Sequence, residues 1–218
     1  MQLRVGRHYL LLLAPFFFSV CASPPRGVIV FCAGDSITAE AYPHYLQQLL
    51  NRDGIRARVL NFGRSGYNSG EYLRFLANNE ARLKTSRPDF VLLQLGTNDV
   101  RVDADRTAEE AFKNNLEKMI AIFQSFRGRS GRPPRILLAL VPPVPETTPF
   151  PFSPDSSLRI KNEINPAVQA ICAEHKIPLV DNYSLFLREP GLLPGVHPSR
   201  EGYLRLAENW LSSLKPLF

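Results

Sequence analysis

Val28-Ile29-Val30-Phe31-Cys32-Ala33-Gly34-Asp35-Ser36-Ile37-Thr38 joins an unbroken apolar run to a glycine, an acid and two hydroxyls. The run reads as a buried strand, and Gly34 permits the tight exit that leaves Ser36 exposed at its carboxyl end. An amphipathic segment follows and starts a helix, whose first N–H groups favour a developing negative charge. On this stretch alone two readings stand side by side: a nucleophilic serine, or an ordinary strand-to-helix turn capped by a hydroxyl.

Working outward, apolar runs at 28–33, 57–62, 89–95, 135–141 and 178–181 read as strands. Amphipathic stretches alternate with them at 42–51, 69–84, 106–126, 155–174 and 199–214. Strands that are apolar on both faces and separated by helices imply a parallel sheet covered on both sides. Such a sheet binds ligands at the carboxyl ends of its strands. The polar motifs fall there: Asp35-Ser36 after the first strand, Asn61-Phe62-Gly63-Arg64-Ser65-Gly66 after the second, and Gly96-Thr97-Asn98-Asp99 after the third. There is no internal repeat. The proline-rich stretch 142–154 reads as a rigid surface loop, whose Phe150 and Phe152 either pack back on the domain or line an apolar pocket.

A chain of 218 residues, 44% of them hydrophobic, suits one well-buried domain, taken as 23–218. Residues 1–22 have the layout of a secretory signal: Arg4 and Arg7, an apolar run over 9–20, then small residues before a cut after Ala22. The run is too short to span a bilayer securely, so export to the periplasm or outside the cell is expected. Cys21 offers a lipoprotein alternative, although Val20 stands where glycine or alanine is usual, and an uncleaved anchor is the third reading. Contact with a membrane is expected only through this segment. Beyond it the chain carries 24 basic and 20 acidic side chains, a mild excess. The one arginine cluster, Arg127-Gly128-Arg129-Ser130-Gly131-Arg132, sits in a glycine-containing loop, so no nucleic-acid partner is expected. Cys32 on a strand and Cys172 on a helix read as separate buried thiols, not a bridge. His8, His44, His175 and His197 show no metal-ligand spacing, so no metal and no cofactor are called for.

A serine hydroxyl becomes a good nucleophile only when a base removes its proton. His197, in Gly195-Val196-His197-Pro198-Ser199, follows a loop and precedes the last helix, where a side chain can reach the strand-end crevice. His44 and His175 fall inside helical patterns and His8 in the targeting segment. Attack on a carbonyl creates an oxyanion that needs donors already aimed at it. The Ser36 N–H, the Gly63 N–H and the Asn98 side-chain amide are the natural suppliers, since glycine lets the main chain approach and an amide donates without titrating. Singly, Gly63 also reads as a turn glycine and Asn98 as a loop cap.

Gly34-Asp35-Ser36, Gly63, Gly96-Thr97-Asn98-Asp99 and His197-Pro198 occur in the order and strand context of the SGNH (GDSL-type) hydrolases, which the chain resembles from Val28 to its last helix. The resemblance implies a flavodoxin-like three-layer α/β/α sandwich with a five-stranded parallel sheet. It also implies Ser36 as nucleophile, His197 as base, and Ser36, Gly63 and Asn98 as oxyanion donors. The family usually has an aspartate three residues before the histidine, and this chain has Pro194. A main-chain carbonyl of Leu192, Leu193 or Pro194, or a carboxylate from Asp181, Glu189 or Glu201, is then expected to orient His197, unless turnover is weak or lost. Asp99 reads as a structural acceptor within its loop.

The function implied is an exported serine esterase. The Gly-Asp-Ser-Ile-Thr form and the His-Pro-Ser ending look most like members that remove acetyl groups from carbohydrates. Lysophospholipase-like or thioesterase-like hydrolysis, a sugar- or acyl-binding module without turnover, and acyl transfer to a sugar are the alternatives.

Overall fold

The computed structural model describes residues 27–103 and 106–218. The signal-like segment, with Arg4, Arg7, His8 and Cys21, lies outside the described residues. Strands β1 (Val28–Gly34), β2 (Ala57–Gly63), β3 (Phe90–Gln94), β4 (Arg135–Ala139) and β5 (Leu179–Val180) form one sheet in the order β2-β1-β3-β4-β5. Every pairing is parallel, with Val30 opposite both Val59 and Phe90. This is the flavodoxin-like order, and its direction of winding reverses between β1 and β3, where a crevice opens at the strand ends.

The alternation of side chains along β1 divides the core. Phe31 and Ala33 face one layer, with α3 (Ser69–Lys84), α4 (Glu109–Ser125) and α6 (Asn165–His175). Val30 and Cys32 face the other, with α2 (Tyr42–Arg52), α7 (Asn182–Arg188) and α8 (Arg200–Leu214). Helices thus cover both faces, as the apolar runs predict. β2 is an edge strand and half-exposed. The Gln47 side chain occupies its free edge, donating to the Ala57 carbonyl at 2.9 Å and accepting from the Val59 N–H at 2.8 Å, which blocks further pairing there. Cys32 and Cys172 are both buried and free. Among the described residues no helix is long and apolar enough to cross a membrane.

Three elements differ from the sequence expectation, each for a local reason. α4 starts at Glu109, not 106, because Thr107 is tied to the loop after β3: its N–H donates to the Asp99 carbonyl and its own carbonyl accepts from Arg159. The single helix expected over 155–174 is α5 (Pro154–Arg159), a π-helical turn (Ile160–Ile164) and α6. Pro166, near the start of α6, lacks the N–H that would continue a regular ladder, and the wider turn absorbs the loss. α7 was not foreseen, since seven residues between a short strand and a loop carry too little periodicity to read.

Candidate active site

Between β1 and α2 lies a single turn of helix, α1 (Ser36–Ala39). Asp35 caps it, its Oδ1 accepting from the Ile37 N–H at 3.0 Å. Asp35 is fully buried, and that burial pushes its carboxyl up to about 7, against the Ile37 N–H, which holds it down. Ser36 is the first residue of this turn. His197 precedes α8, whose N-cap is Ser199, with Oγ accepting from the Gly202 N–H at 3.1 Å. These two helix starts meet over the β1 end, and His197 Nε2 lies 2.8 Å from Ser36 Oγ. That is hydrogen-bond distance, the geometry in which an imidazole takes a proton from a hydroxyl.

On the far side of the imidazole stands Glu40, which sequence reasoning missed. Its backbone N–H donates to the Ser36 carbonyl at 3.0 Å, closing α1. Its carboxylate Oε1 lies 3.5 Å from His197 Nδ1, and Oε2 accepts from the Tyr203 hydroxyl at 2.5 Å. Tyr203 sits on the first turns of α8 and is 4% exposed. Its burial, followed by the Glu40 carboxylate, pushes the phenol well above the usual tyrosine range, so it stays a neutral donor. The signal was present in sequence: Ser36 and Glu40 are four apart, the spacing that puts two side chains on one helical face.

Two of the three acids expected beside His197 are engaged elsewhere. Asp181 caps α7 through the Ser184 N–H at 2.8 Å, and Glu189 pairs with Arg205 at 2.8 Å. Glu201 is exposed and does not line the cleft. The Leu192 carbonyl accepts from the Ser199 N–H at 2.8 Å. The expectation for Asp99 agrees with the structure: buried after β3, it accepts from both the Ser69 N–H and the Ser69 Oγ, tying the start of α3 to its own loop.

Gly63 requires a correction. Its N–H donates to Asn61 Oδ1 at 3.0 Å, and it does not border the cleft. A Cβ there would sit 2.1 Å from the Ala39 nitrogen, so glycine is needed for α1 to rest on the end of β2. Three residues on, Gly66 lines the cleft in the left-handed region at φ +81, where glycine is favoured. Asn98 is in the expected place, at the rim after β3. One of its two amide hydrogens goes to the Tyr67 carbonyl at 3.0 Å, which fixes the amide and leaves the other hydrogen available.

Ser36, Glu40, Gly66, Asn98, Arg101 and His197 border a cleft of about 420 Å³, with Pro151 and Phe152 as an apolar wall. Phe152 also packs on the core, so it serves both uses foreseen for it, while Phe150 is 75% exposed. A larger hollow, about 770 Å³, runs past Arg58, Arg87 and Arg129 and contains no acid–base pair, so size alone does not mark the site. Glu117, Glu174 and His175 bring ligand atoms within 4.8 Å of one another elsewhere on the surface, and none of them borders the cleft.

Residues 32–205 match the model of the GDSL-like lipase/acylhydrolase family. Comparison with curated proteins gives no match. Among solved structures, a lipase/acylhydrolase from Enterococcus faecalis superposes with a TM-score of 0.72 at 26% identity, over 87% of this chain and 96% of that one. A carbohydrate acetylesterase family member from Sinorhizobium meliloti gives 0.68 at 19% identity, over 87% and 96%. The acetylxylan esterase Axe2 from Geobacillus stearothermophilus gives 0.68 at 21% identity, over 87% and 94%.

Proposed function

The chain belongs to the GDSL-like lipase/acylhydrolase family and is a carboxylic ester hydrolase, and from that premise we propose that Ser36 and His197 carry its reaction through an acyl-enzyme. The observation that supports this most directly is the 2.8 Å contact between Ser36 Oγ and His197 Nε2. His197 takes the Ser36 proton as Oγ attacks the ester carbonyl, then returns it to the departing alcohol. Water, deprotonated by the same imidazole, attacks the acyl carbonyl; the Oγ–acyl bond breaks, the acid leaves, and the imidazole returns the proton to Ser36 Oγ. The charge on the tetrahedral oxygen is met by the Ser36 N–H, the Gly66 N–H and the free Asn98 amide hydrogen. Each such donor is worth about 10²–10³ in rate.

For substrate, we favour O-acetyl groups on a carbohydrate. A cleft of about 420 Å³ lies toward the small end of ligand sites, and its border carries Glu40, Ser65 and Arg101, polar groups suited to hydroxyl-rich partners. The likeness to the Sinorhizobium and Geobacillus enzymes points the same way. The exposed Phe150 beside the Pro151–Phe152 wall favours a second reading, hydrolysis of lipid acyl esters. Arg4, Arg7 and the apolar run over 9–20 support a site of action outside the cytoplasm, with Cys21 as the alternative lipid anchor.

Hydrolysis of aryl esters of increasing acyl length, by the parent and by Ser36→Ala and His197→Ala, tests these assignments together. Both variants are expected to lose about 10³-fold or more in kcat/KM. The parent is expected to peak at acetyl; activity that climbs to eight carbons would move the assignment to lipids. Parental rates in both variants would dismiss the mechanism.

A further inference from the structure

We propose that Glu40 is the positioning acid of this active site, holding His197 from the helix that follows the nucleophile and doing so with the help of Tyr203. The inference rests on the Ser36–His197 reading and adds to it the group that orients the base.

A base that must face Ser36 with Nε2 has to keep its proton on Nδ1, and an acceptor on the Nδ1 side sets that tautomer. Pro194 has no side-chain acceptor, and Asp181 and Glu189 have other partners. Glu40 Oε1 is 3.5 Å from Nδ1. That is longer than a tight hydrogen bond and within ion-pair reach, and such contacts commonly shorten when substrate binds.

The chain geometry makes the placement specific. Ser36 and Glu40 are one helical turn apart, locked by the Glu40 N–H to Ser36 carbonyl bond. His197 and Tyr203 lie on either side of the start of α8, where the Tyr203 N–H donates to the carbonyl of the N-cap Ser199. Two elements therefore supply two groups each, and the Tyr203 hydroxyl, held in a buried position, pins the second carboxylate oxygen at 2.5 Å. Without that donor an exposed glutamate would sample many rotamers. With it, one oxygen is committed to Tyr203 and the other is turned to the imidazole.

The charged and titratable groups facing His197 are Ser36 and Glu40 from α1 and its cap, Tyr203 from α8, and Arg101 across the cleft, with Asp35 buried below. Glu40 is the acid among them that reaches Nδ1. It favours the imidazolium that forms as Ser36 attacks, so its removal is expected to slow the chemical step more than it weakens substrate binding.

The test is the separate measurement of kcat and KM for Glu40→Gln, Glu40→Asp and Tyr203→Phe, with Ser36→Ala as reference and thermal melts to verify folding. Glu40→Gln is expected to cost about 10- to 100-fold in kcat/KM, mostly in kcat. Glu40→Asp is expected to recover part of kcat, and Tyr203→Phe to lose less than Glu40→Gln. A Glu40→Gln enzyme within twofold of the parent overturns the inference while leaving Ser36 and His197 in place. A loss confined to KM overturns it too, because Glu40 would then be a substrate contact. If Ser36→Ala keeps the parental rate, the reading beneath fails and the inference falls with it.

Discussion

At the residue scale, Gly63 and Gly66 do different work, although the same short motif contains both. Gly63 is a steric necessity, since any Cβ would drive into the Ala39 backbone, while Gly66 has open space around its Cα and a left-handed φ of +81. Gly63→Ala is therefore expected to act on stability, costing about 1–3 kcal/mol as α1 is forced off β2. Gly66→Ala is expected to act on turnover, lowering kcat about 10- to 100-fold as the strained turn swings its N–H away from the oxyanion, with a smaller change in melting temperature. Melting curves and steady-state kinetics on both variants check this, and full kcat in Gly66→Ala would remove it as a donor. The motif told where such a glycine lies but not which one, because sequence carries no φ. Glu40 was hidden in a similar way: its four-residue spacing from Ser36 was legible, but an exposed acid after a serine looks like any solvated helix end.

At the element scale, α1 is only four residues long, too short to persist by its own hydrogen bonds, and the Asp35 cap holds it in place. That cap carries a pH signature. The Asp35 carboxyl rises from an ordinary aspartate value to about 7 on burial. Between about pH 4 and 7 the folded state then binds more protons than the unfolded one, so stability falls as pH rises through that window, by up to about 4 kcal/mol at full ionisation. Burial pushes Asp99 in the same direction. Asp35→Asn keeps a capping oxygen and has no charge to bury, so it is expected to flatten the Asp35 part of this slope and leave the Asp99 part. Melting temperatures of parent and variant across pH 4–7 decide it; two parallel curves would show that Asp35 does not titrate there. Among the larger elements, α3 was readable to its ends because Asn68 and Glu71 form a capping box at its start. α4 and the 155–174 stretch were not, because a tether from Thr107 to Asp99 and a proline-widened turn depend on contacts distant in the chain.

Over the whole molecule, one sheet separates two apolar layers, and Ser36 and His197 meet on the α2/α8 side while Gly66 and Asn98 reach the cleft from the loops after β2 and β3. Trp210, fully buried on α8, stacks on Tyr42 of α2 with ring centroids 6.1 Å apart. Trp210→Ala is expected to cost about 3–5 kcal/mol through the cavity it leaves. Well below its lowered melting temperature, kcat/KM should stay within about threefold of the parent, since Trp210 lies more than two turns along α8 from His197. An unchanged melting temperature with collapsed kcat/KM would mean that this layer serves chemistry more than packing.

The alternation of strands and helices, the strand ends where polar motifs gather, and the serine and histidine that meet there were legible residue by residue, because burial periodicity and turn chemistry are written locally. That Gly66 and not Gly63 faces the cleft, and that the carboxylate beside His197 comes from Glu40, emerges only once the chain is folded. Those choices follow from how α1 and α8 converge over the β1 end, and the meeting of Ser36 and His197, 161 residues apart in the chain, is set by the packing of the whole sheet and not by any one stretch.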